Sequence, residues 1–278
     1  MSVPSPLLAG VVGWPIGHSK SPRLHGHWLR RYGIDGYYVP MAVAPEDLET
    51  ALRALPRLGF QGVNVTIPHK ERALGFADAV TDRAASVGAA NTLTFGEDGR
   101  IEADNTDGYG FIANLRQHAP DWSAGSGPAV VLGAGGAARG ILAALLANGA
   151  PEIRLANRSA GRARDLAAHF GAAVSVIGME DVPAALADAA TLVNTTSLGM
   201  TGQPPLDIDL TRAAPGMLVT DIVYTPLVTP LLAQAEAQGL RNVDGLGMLL
   251  HQAAPGFERW FGTPPEVDDA LRAAVLAG

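Results

Sequence analysis

The chain has 278 residues, 47% hydrophobic and 17% charged, which supplies enough apolar material for one or two sizeable cores and excludes a disordered tail protein. The absence of cysteine excludes a disulfide framework, a thiolate metal site, an iron–sulfur cluster and a cysteine nucleophile, and a formal net charge of -7 argues against binding nucleic acid or anionic membrane through a general positive field. Any anionic ligand must find a local site, and the chain's only lysines, Lys20 and Lys70, fall inside unusually polar segments.

Short apolar β-rich runs alternate with helix-period stretches along the whole chain, the pattern of an α/β protein. Leu7 to Val12 reads as a strand, Pro22 to Tyr32 as a helix and Tyr37 to Ala42 as a strand. Pro45 sits in the favoured first turn of a helix running to about Leu58, with Glu46, Asp47 and Glu49 complementing its N-terminal dipole. Gly62 to Ile67 is a third strand. Helix-like Tyr109 to His118 leads into Pro120, Gly125, Ser126, Gly127 and Pro128, a turn-forming cluster expected as a linker or long surface loop. Beyond it, Ala129 to Leu132, Glu152 to Ala156, Ala173 to Ile177, Leu192 to Val193 and Met217 to Ile222 are strands of a second α/β unit, and Gly247 to Phe261 and Glu266 to Leu276 form a helical tail. The uncharged opening stretch lacks a basic flank and is broken by Pro4, Pro6, Gly10, Gly13, Pro15 and Gly17, so neither a targeting peptide nor a membrane span is expected, and the location expected is cytoplasmic.

Val130-Val131-Leu132 runs into Gly133, Ala134, Gly135, Gly136, Ala137 and Ala138, a Gly-x-Gly-x-x-Ala fingerprint between a buried strand and an alanine-rich helix. Glycine makes such a turn, its missing side chain lets backbone approach a pyrophosphate, and the helix N-terminus offers free N–H groups. The plainer alternative is a glycine-rich surface turn. At the end of the next strand, where an NAD enzyme carries Asp or Glu for the ribose hydroxyls, stand Asn157, Arg158 and Ser159, with Arg162 one turn on. Arginine there suits a 2′-phosphate, so NADP is the expected cofactor; a solvated helix start is the plainer use of both arginines.

Four polar segments fall where a structural strand end has no need of them: His18 to Pro22, Asn64 to Lys70, Ala89 to Leu93 and Asp104 to Gly108. In an α/β sheet the carboxyl ends of the strands line the ligand crevice, so such groups suit a small hydroxylated or carboxylated molecule. Locally, Ser21 could instead cap the helix from Pro22, Asn91 and Asn105 close turns, and Asp107 cap the helix from Gly108. His18, His25, His27 and His69 cluster in sequence without a metal-hydrolase spacing, and surface or packing roles are expected for them, with no metal. Trp122 and Trp260 are expected to pack.

These motifs, together with Gly13-Trp14-Pro15-Ile16-Gly17, Asn194 to Met200 and Asp244 to Leu249, resemble shikimate dehydrogenase in the family's order. The resemblance implies reversible hydride transfer between NADP and a ring carbon, interconverting 3-dehydroshikimate and shikimate in aromatic amino-acid biosynthesis. It implies Lys70 and Asp107 as the catalytic pair, Ser19, Ser21 and Tyr224 on the substrate carboxylate, and Thr66, Asn91 and Gln252 on ring hydroxyls. On the cofactor side it implies Gly133, Ala134, Gly135, Gly136 and Ala137 at the pyrophosphate, Asn157, Arg158, Ser159 and Arg162 at the ribose phosphate, Thr195 as the contact of a loop beside the cofactor, and Ile222, Gly245 and Asp82 toward the nicotinamide end.

The expected architecture is a two-domain α/β enzyme. Residues 1–107 and 244–278 form the substrate domain, residues 108–243 a Rossmann NADP-binding domain, and the C-terminal helices return to the first domain. The active site is expected in the cleft, with Gly108 and Gly245 as pivots for closure and the assembly a monomer or homodimer. The rivals are a quinate/shikimate dehydrogenase that uses NAD, methylenetetrahydrofolate dehydrogenase, and a non-catalytic NADP-binding sensor on the same fold. Serine at 19 and 21 and arginine at 158 and 162 favour the NADP-dependent shikimate enzyme.

Overall fold

Predominantly apolar runs pair into two separate six-stranded sheets in the computed structural model, which describes residues 5–277. The chain divides into two units, one formed by residues up to Thr106 together with Leu250 onward, the other by Asp107–Leu249.

In the first unit β1 (Leu7–Gly13) leads to α1 (Ser21–Arg31) and β2 (Gly36–Ala42). The helix expected over 45–58 is divided into a 3₁₀ turn at Pro45–Asp47, α2 (Leu48–Ala54) and a second 3₁₀ turn at Leu55–Leu58. Pro56 has no N–H to continue the α-helical ladder, and Gly59, with φ +85°, ends it. Then follow β3 (Phe60–Val65), α3 (Lys70–Gly75), β4 (Ala79–Val80), α4 (Asp82–Val87), β5 (Thr92–Phe95) and β6 (Ile101–Asp104). The sheet order is β2-β1-β3-β5-β6-β4, with β5 antiparallel to both of its neighbours and the remaining pairs parallel. The last three strands escape sequence reading because two to four residues show no period; pairing with β3 and β6, with Asn64 opposite Thr92, makes β5 a strand.

The second unit opens with α5 (Asp107–His118), β7 (Ala129–Leu132), α6 (Gly136–Ala147), β8 (Ile153–Ala156) and α7 (Ala160–Phe170). It continues through β9 (Val174–Ile177), α8 (Val182–Ala185), β10 (Thr191–Asn194), β11 (Leu218–Asp221), α9 (Pro230–Ala237) and β12 (Arg241–Val243). All six strands are parallel in the order β12-β11-β10-β7-β8-β9, the doubly wound arrangement with its switch point between β7 and β10. Successive residues of β7 enter opposite cores: Ala129 and Val131 pack with Phe111, Leu115, Ile141 and Leu166, whereas Val130 and Leu132 pack with Val182, Leu206, Leu231 and Leu232. Helices on both faces require strands apolar on both faces, which is why β7 is buried throughout. The turn cluster at 120–128 lies inside this unit, where Trp122 Nε1 donates to Thr191 Oγ1 at 2.9 Å, and is therefore not a linker between units.

The boundary falls within α10 (Leu246–Phe261), after which α11 (Asp269–Leu276) completes the first unit. His25 of α1 packs against Tyr38, Phe257 and Trp260, Trp28 of the same helix packs against His25 and Phe257, and Trp28 Nε1 donates to the Glu266 carbonyl. Lys20 Nζ donates to the Val275 carbonyl at 3.2 Å, so this scarce lysine holds the end of the last helix. His69, fully buried, bonds the Val43 carbonyl through Nε2. Gly62 lies against Trp260, whose Nε1 donates to Leu93 O; any side chain at 62 would overlap the indole.

His25 is fully buried and its ring stacks on Tyr38 with centroids 3.8 Å apart. Burial, partly opposed by the Asn64 side chain, pushes its pKa down from 6.5 to about 3. The folded state therefore keeps His25 neutral over a range in which the unfolded chain takes up a proton. Its stabilisation is complete above about pH 6.5 and is lost as pH falls toward 3, at up to ~1.4 kcal/mol per pH unit. Urea midpoints measured between pH 7 and 4 should fall less steeply, by about one proton's worth, in His25→Phe than in the parent; parallel slopes would remove His25 from the acid response.

Candidate functional site

In the first unit the polar segments meet at the strand exits. The Val65 amide donates to the Asn91 carbonyl, the Ala90 amide to the Lys70 carbonyl, and the Asn91 amide to the Asp104 carbonyl, all within 2.8 to 3.0 Å. These bonds hold the residues around Lys70, Asn91 and Asp104 side by side although they are far apart in sequence. Lys70 is the first residue of α3, half-buried, with His69 as the N-cap. Thr66 lies one residue past the end of β3, its amide bonded to the Val12 carbonyl.

Asn91 is held in one orientation. Its Oδ1 accepts from the Thr106 amide at 2.8 Å and from Thr92 Oγ1 at 2.9 Å, which directs Nδ2 to Gln252 Oε1 at 3.1 Å, while Thr106 Oγ1 donates to the Gln252 carbonyl at 2.8 Å. A backbone N–H is only a donor, so the amide cannot be reversed without setting donor against donor. Asn91 and Gln252, 161 residues apart, are thus neighbours in the first unit and offer a donor and an acceptor as hydroxyl ligands require.

Ser21 is the first residue of α1, and its predicted cap role does not hold: the helix starts one residue earlier than expected, so Lys20 occupies the N-cap, without a side-chain cap bond, and Pro22 stands in the first turn. Ser19 Oγ instead accepts from the Ser21 amide at 3.3 Å, which folds the two serines into one turn. Buried Ser21 interacts with the Tyr38 hydroxyl, which donates to Asn64 Oδ1 at 2.6 Å; Asn64 Nδ2 in turn donates to the Asn91 carbonyl at 3.2 Å. Burial pushes the Tyr38 phenol well up, so it remains a neutral hydrogen-bonding link. Tyr38 and Asn64 tie the serine turn to the amide pair. Sequence reading missed both because each occupies an ordinary inward position of a strand.

Asp104, 2% exposed, sits beside this network. Burial opposes its ionisation, but Arg83 Nη2 at 2.5 Å, Thr81 Oγ1 at 2.7 Å and the Asn105 amide at 2.8 Å hold its carboxyl below the usual range. Asp82 is exposed in the first turn of α4, after the cap residue Thr81. His18 is exposed, and among the described residues no cluster of three or more His, Asp or Glu is arranged to hold a metal.

In the second unit Asp107 is buried as the first residue of α5, within the helix and not ahead of it. The glycine turn lies at the switch point. Gly133 has φ +108°, and a Cβ there would stand 2.6 Å from Thr195 Oγ1, so both conformation and space demand glycine. Thr195 donates to the Leu132 carbonyl from its amide at 2.8 Å and its hydroxyl at 2.7 Å, closing the β10 exit onto the β7 exit. Gly135 caps α6 without a side chain, no atom lies within 4 Å of where its Cβ would be, and Gly136 and Ala137 open the helix. This open backbone turn beneath a twelve-residue helix fits a dinucleotide pyrophosphate. Beyond β8, Asn157 Nδ2 closes its turn onto the Ser159 carbonyl at 2.9 Å, and Arg158 and Arg162 are exposed at the start of α7.

Ile222 and Gly245 come together, since a Cβ on Gly245 would overlap the Ile222 carbonyl. Gly108 likewise lies against α6, where a Cβ would stand 2.7 Å from the Gly140 carbonyl. Close packing accounts for the absence of a side chain at both positions. Half-buried Tyr224 has its phenol pushed up by burial. Ser19, Ser21, Thr66, Lys70, Asp82, Asn91 and Gln252 belong to the first unit; Asp107, Tyr224, Thr195 and the glycine and arginine turns belong to the second.

A doubly wound parallel sheet with an open glycine turn at its switch point, in a chain whose other α/β unit gathers hydroxyl and amide groups at its strand exits, defines a two-domain Rossmann-type dinucleotide enzyme. The chain belongs to the shikimate dehydrogenase family: it matches the shikimate dehydrogenase substrate binding domain over residues 11–93, shikimate / quinate 5-dehydrogenase over 117–247 and the shikimate 5'-dehydrogenase C-terminal domain over 245–275. A shikimate dehydrogenase (NADP(+)) of Paracoccus denitrificans is 64% identical over 270 residues, 97% of this chain and 96% of that protein. Among solved structures, shikimate 5-dehydrogenase from Thermus thermophilus in complex with NADP(H) and shikimate is 36% identical with a TM-score of 0.86, covering 97% of this chain and 98% of that one. Quinate dehydrogenase from Corynebacterium glutamicum in complex with NAD is 30% identical with a TM-score of 0.90, covering 98% and 99%.

Proposed function

We propose that this chain catalyses the reversible NADPH-dependent reduction of 3-dehydroshikimate to shikimate. The observation that carries the proposal is the 64% identity over 97% of the chain with an NADP-dependent shikimate dehydrogenase. Lys70, Asp107 and the two serines are all present. Bound NADPH supplies the hydride.

The chain's own residues do the rest. Hydride addition to a ketone leaves negative charge on oxygen; the Lys70 ammonium stabilises that charge and delivers the proton, and the Asp107 carboxylate orients ammonium and hydroxyl. Ser19, Ser21 and Tyr224 receive the substrate carboxylate with neutral donors, which suits an anion-binding site in a chain of net charge -7. Thr66 and the Asn91–Gln252 pair take the ring hydroxyls. Gly133 to Ala137 hold the pyrophosphate, Asn157 to Arg162 the 2′-phosphate, Thr195 contacts the cofactor from its loop, and Ile222, Gly245 and Asp82 bear on the nicotinamide end. Since the Thr195 proton is given to Leu132, its hydroxyl offers a cofactor an acceptor. The enzyme so described works in the cytoplasm as a monomer or homodimer. Among the described residues no helix is long and apolar enough to cross a membrane.

Absorbance at the reduced-nicotinamide band should grow on mixing the protein with shikimate and NADP, and far less with quinate or NAD. Strong signal with quinate or NAD would favour the activity named for the Corynebacterium structure, and silence in every pairing would leave a binding protein without catalysis. Lys70→Ala should cut turnover by ~10²-fold or more with shikimate binding largely kept, measured as kcat and as ligand affinity by calorimetry; near-normal kcat would remove Lys70 from the chemistry. Arg158→Ala should weaken NADP by ~10-fold or more and leave NAD almost unchanged, and equal losses would show that Arg158 does not read the 2′-phosphate.

A further inference from the structure

The second unit holds a buried carboxylate that the proposed mechanism does not use. Asp221 ends β11 and is 1% exposed. Its Oδ1 accepts from Asn194 Nδ2 and from the Val223 amide, each at 2.9 Å, and its Oδ2 accepts from Thr229 Oγ1 at 2.8 Å. These partners are neutral donors, so they fit the ionised, acceptor-only form. Burial pushes the Asp221 pKa up, against the opposing effect of those three bonds.

Each partner governs a different piece of chain. Asn194 turns the β10 exit: its Oδ1 accepts from the Thr196 amide at 3.0 Å and from Thr196 Oγ1 at 2.8 Å, and its Nδ2 also reaches the Leu198 carbonyl. The Val223 amide fixes the β11 exit, whose Ile222 amide bonds the Asn194 carbonyl at 3.1 Å. Thr229 caps α9, its Oγ1 accepting from the Leu232 amide. The two exit loops also meet directly, the Thr201 amide donating to the Thr225 carbonyl at 2.8 Å. One carboxylate thus joins the loop that starts at Thr195, the segment carrying Ile222 and Tyr224, and the N-terminus of the helix that follows.

We propose that Asp221 is a positioning residue, whose carboxylate sets the course of Ile222 to Tyr224 and of the loop from Thr195 so that the cofactor's nicotinamide end and the substrate carboxylate meet a fixed surface. The inference rests on the functional proposal above, which parent turnover with shikimate and NADP tests first. In Asp221→Ala the shikimate KM should rise ~10-fold or more and kcat should fall, whereas affinity for 2′,5′-ADP, which carries the 2′-phosphate but no nicotinamide, should stay within about twofold. Asp221→Asn should recover most of the loss, because its Oδ1 still accepts from Asn194 and Val223 while its Nδ2 donates to the Thr229 hydroxyl. An alanine variant with parental KM and kcat would overturn the inference. So would a parallel fall in 2′,5′-ADP affinity, which marks general damage to the unit. An asparagine variant as impaired as alanine would overturn it too, because charge and not hydrogen-bonded placement would then be at work. An inactive parent fails the functional proposal, whereas an active parent with an unaffected alanine variant fails this inference alone.

Discussion

A carboxylate or amide withdrawn from water must find its partners within the protein, because an unmet buried donor or acceptor costs about 1 to 3 kcal/mol and more when charged. Both units place such groups where their strands end. Asn91 and Asp104 in the first, and Asn194 and Asp221 in the second, are 2% exposed or less. Each is satisfied by residues from neighbouring segments, so the strand exits have little freedom to follow another path. The sheets supply the frame, and these few side chains turn strand exits into defined surfaces.

The two units solve the problem with different material. The first binds its loops by a chain of hydroxyls and amides from Ser21 through Tyr38, Asn64, Thr92 and Asn91 to Gln252, in which amide orientation is dictated by the Thr106 N–H. Reversing Asn64 or Asn91 would break contacts on both sides of its amide. The second closes the β7 exit onto the β10 exit through Thr195 and Leu132, and leaves the glycine turn open beneath α6. A surface preset in this way lowers the ordering cost of binding, and dipoles already aimed at developing charge need no reorganisation during reaction.

Packing explains features that resemble functional signals in the sequence. Three of the four clustered histidines divide among an exposed loop, an aromatic stack and a backbone contact, His18 in the loop, His25 against Tyr38 and His69 on the Val43 carbonyl. Lys20, half of the lysine complement, secures the final helix. Gly108 and Gly245 are small because another backbone passes close by. Sequence proximity to a motif places a residue near a site without saying what its side chain does there.

By itself the sequence determined the alternating α/β order, the glycine fingerprint between β7 and α6, the arginine-bearing turn after β8, and the short segments that gather ionisable and amide groups. These are local signals: an apolar run, a missing side chain or a proline acts within a few residues, and linear order preserves it. Tertiary structure decided the rest. β4, β5, β6 and β12 are too short to stand without a neighbour, and the helix expected at 45–58 divides because Pro56 lacks an N–H. The pairing of Asn91 with Gln252 bridges 161 residues, and Tyr38, Asn64 and Asp221 acquire their roles only when strands bring distant donors and acceptors within 3.3 Å. A hydrogen bond depends on distance and direction in space, and separation along the chain carries neither.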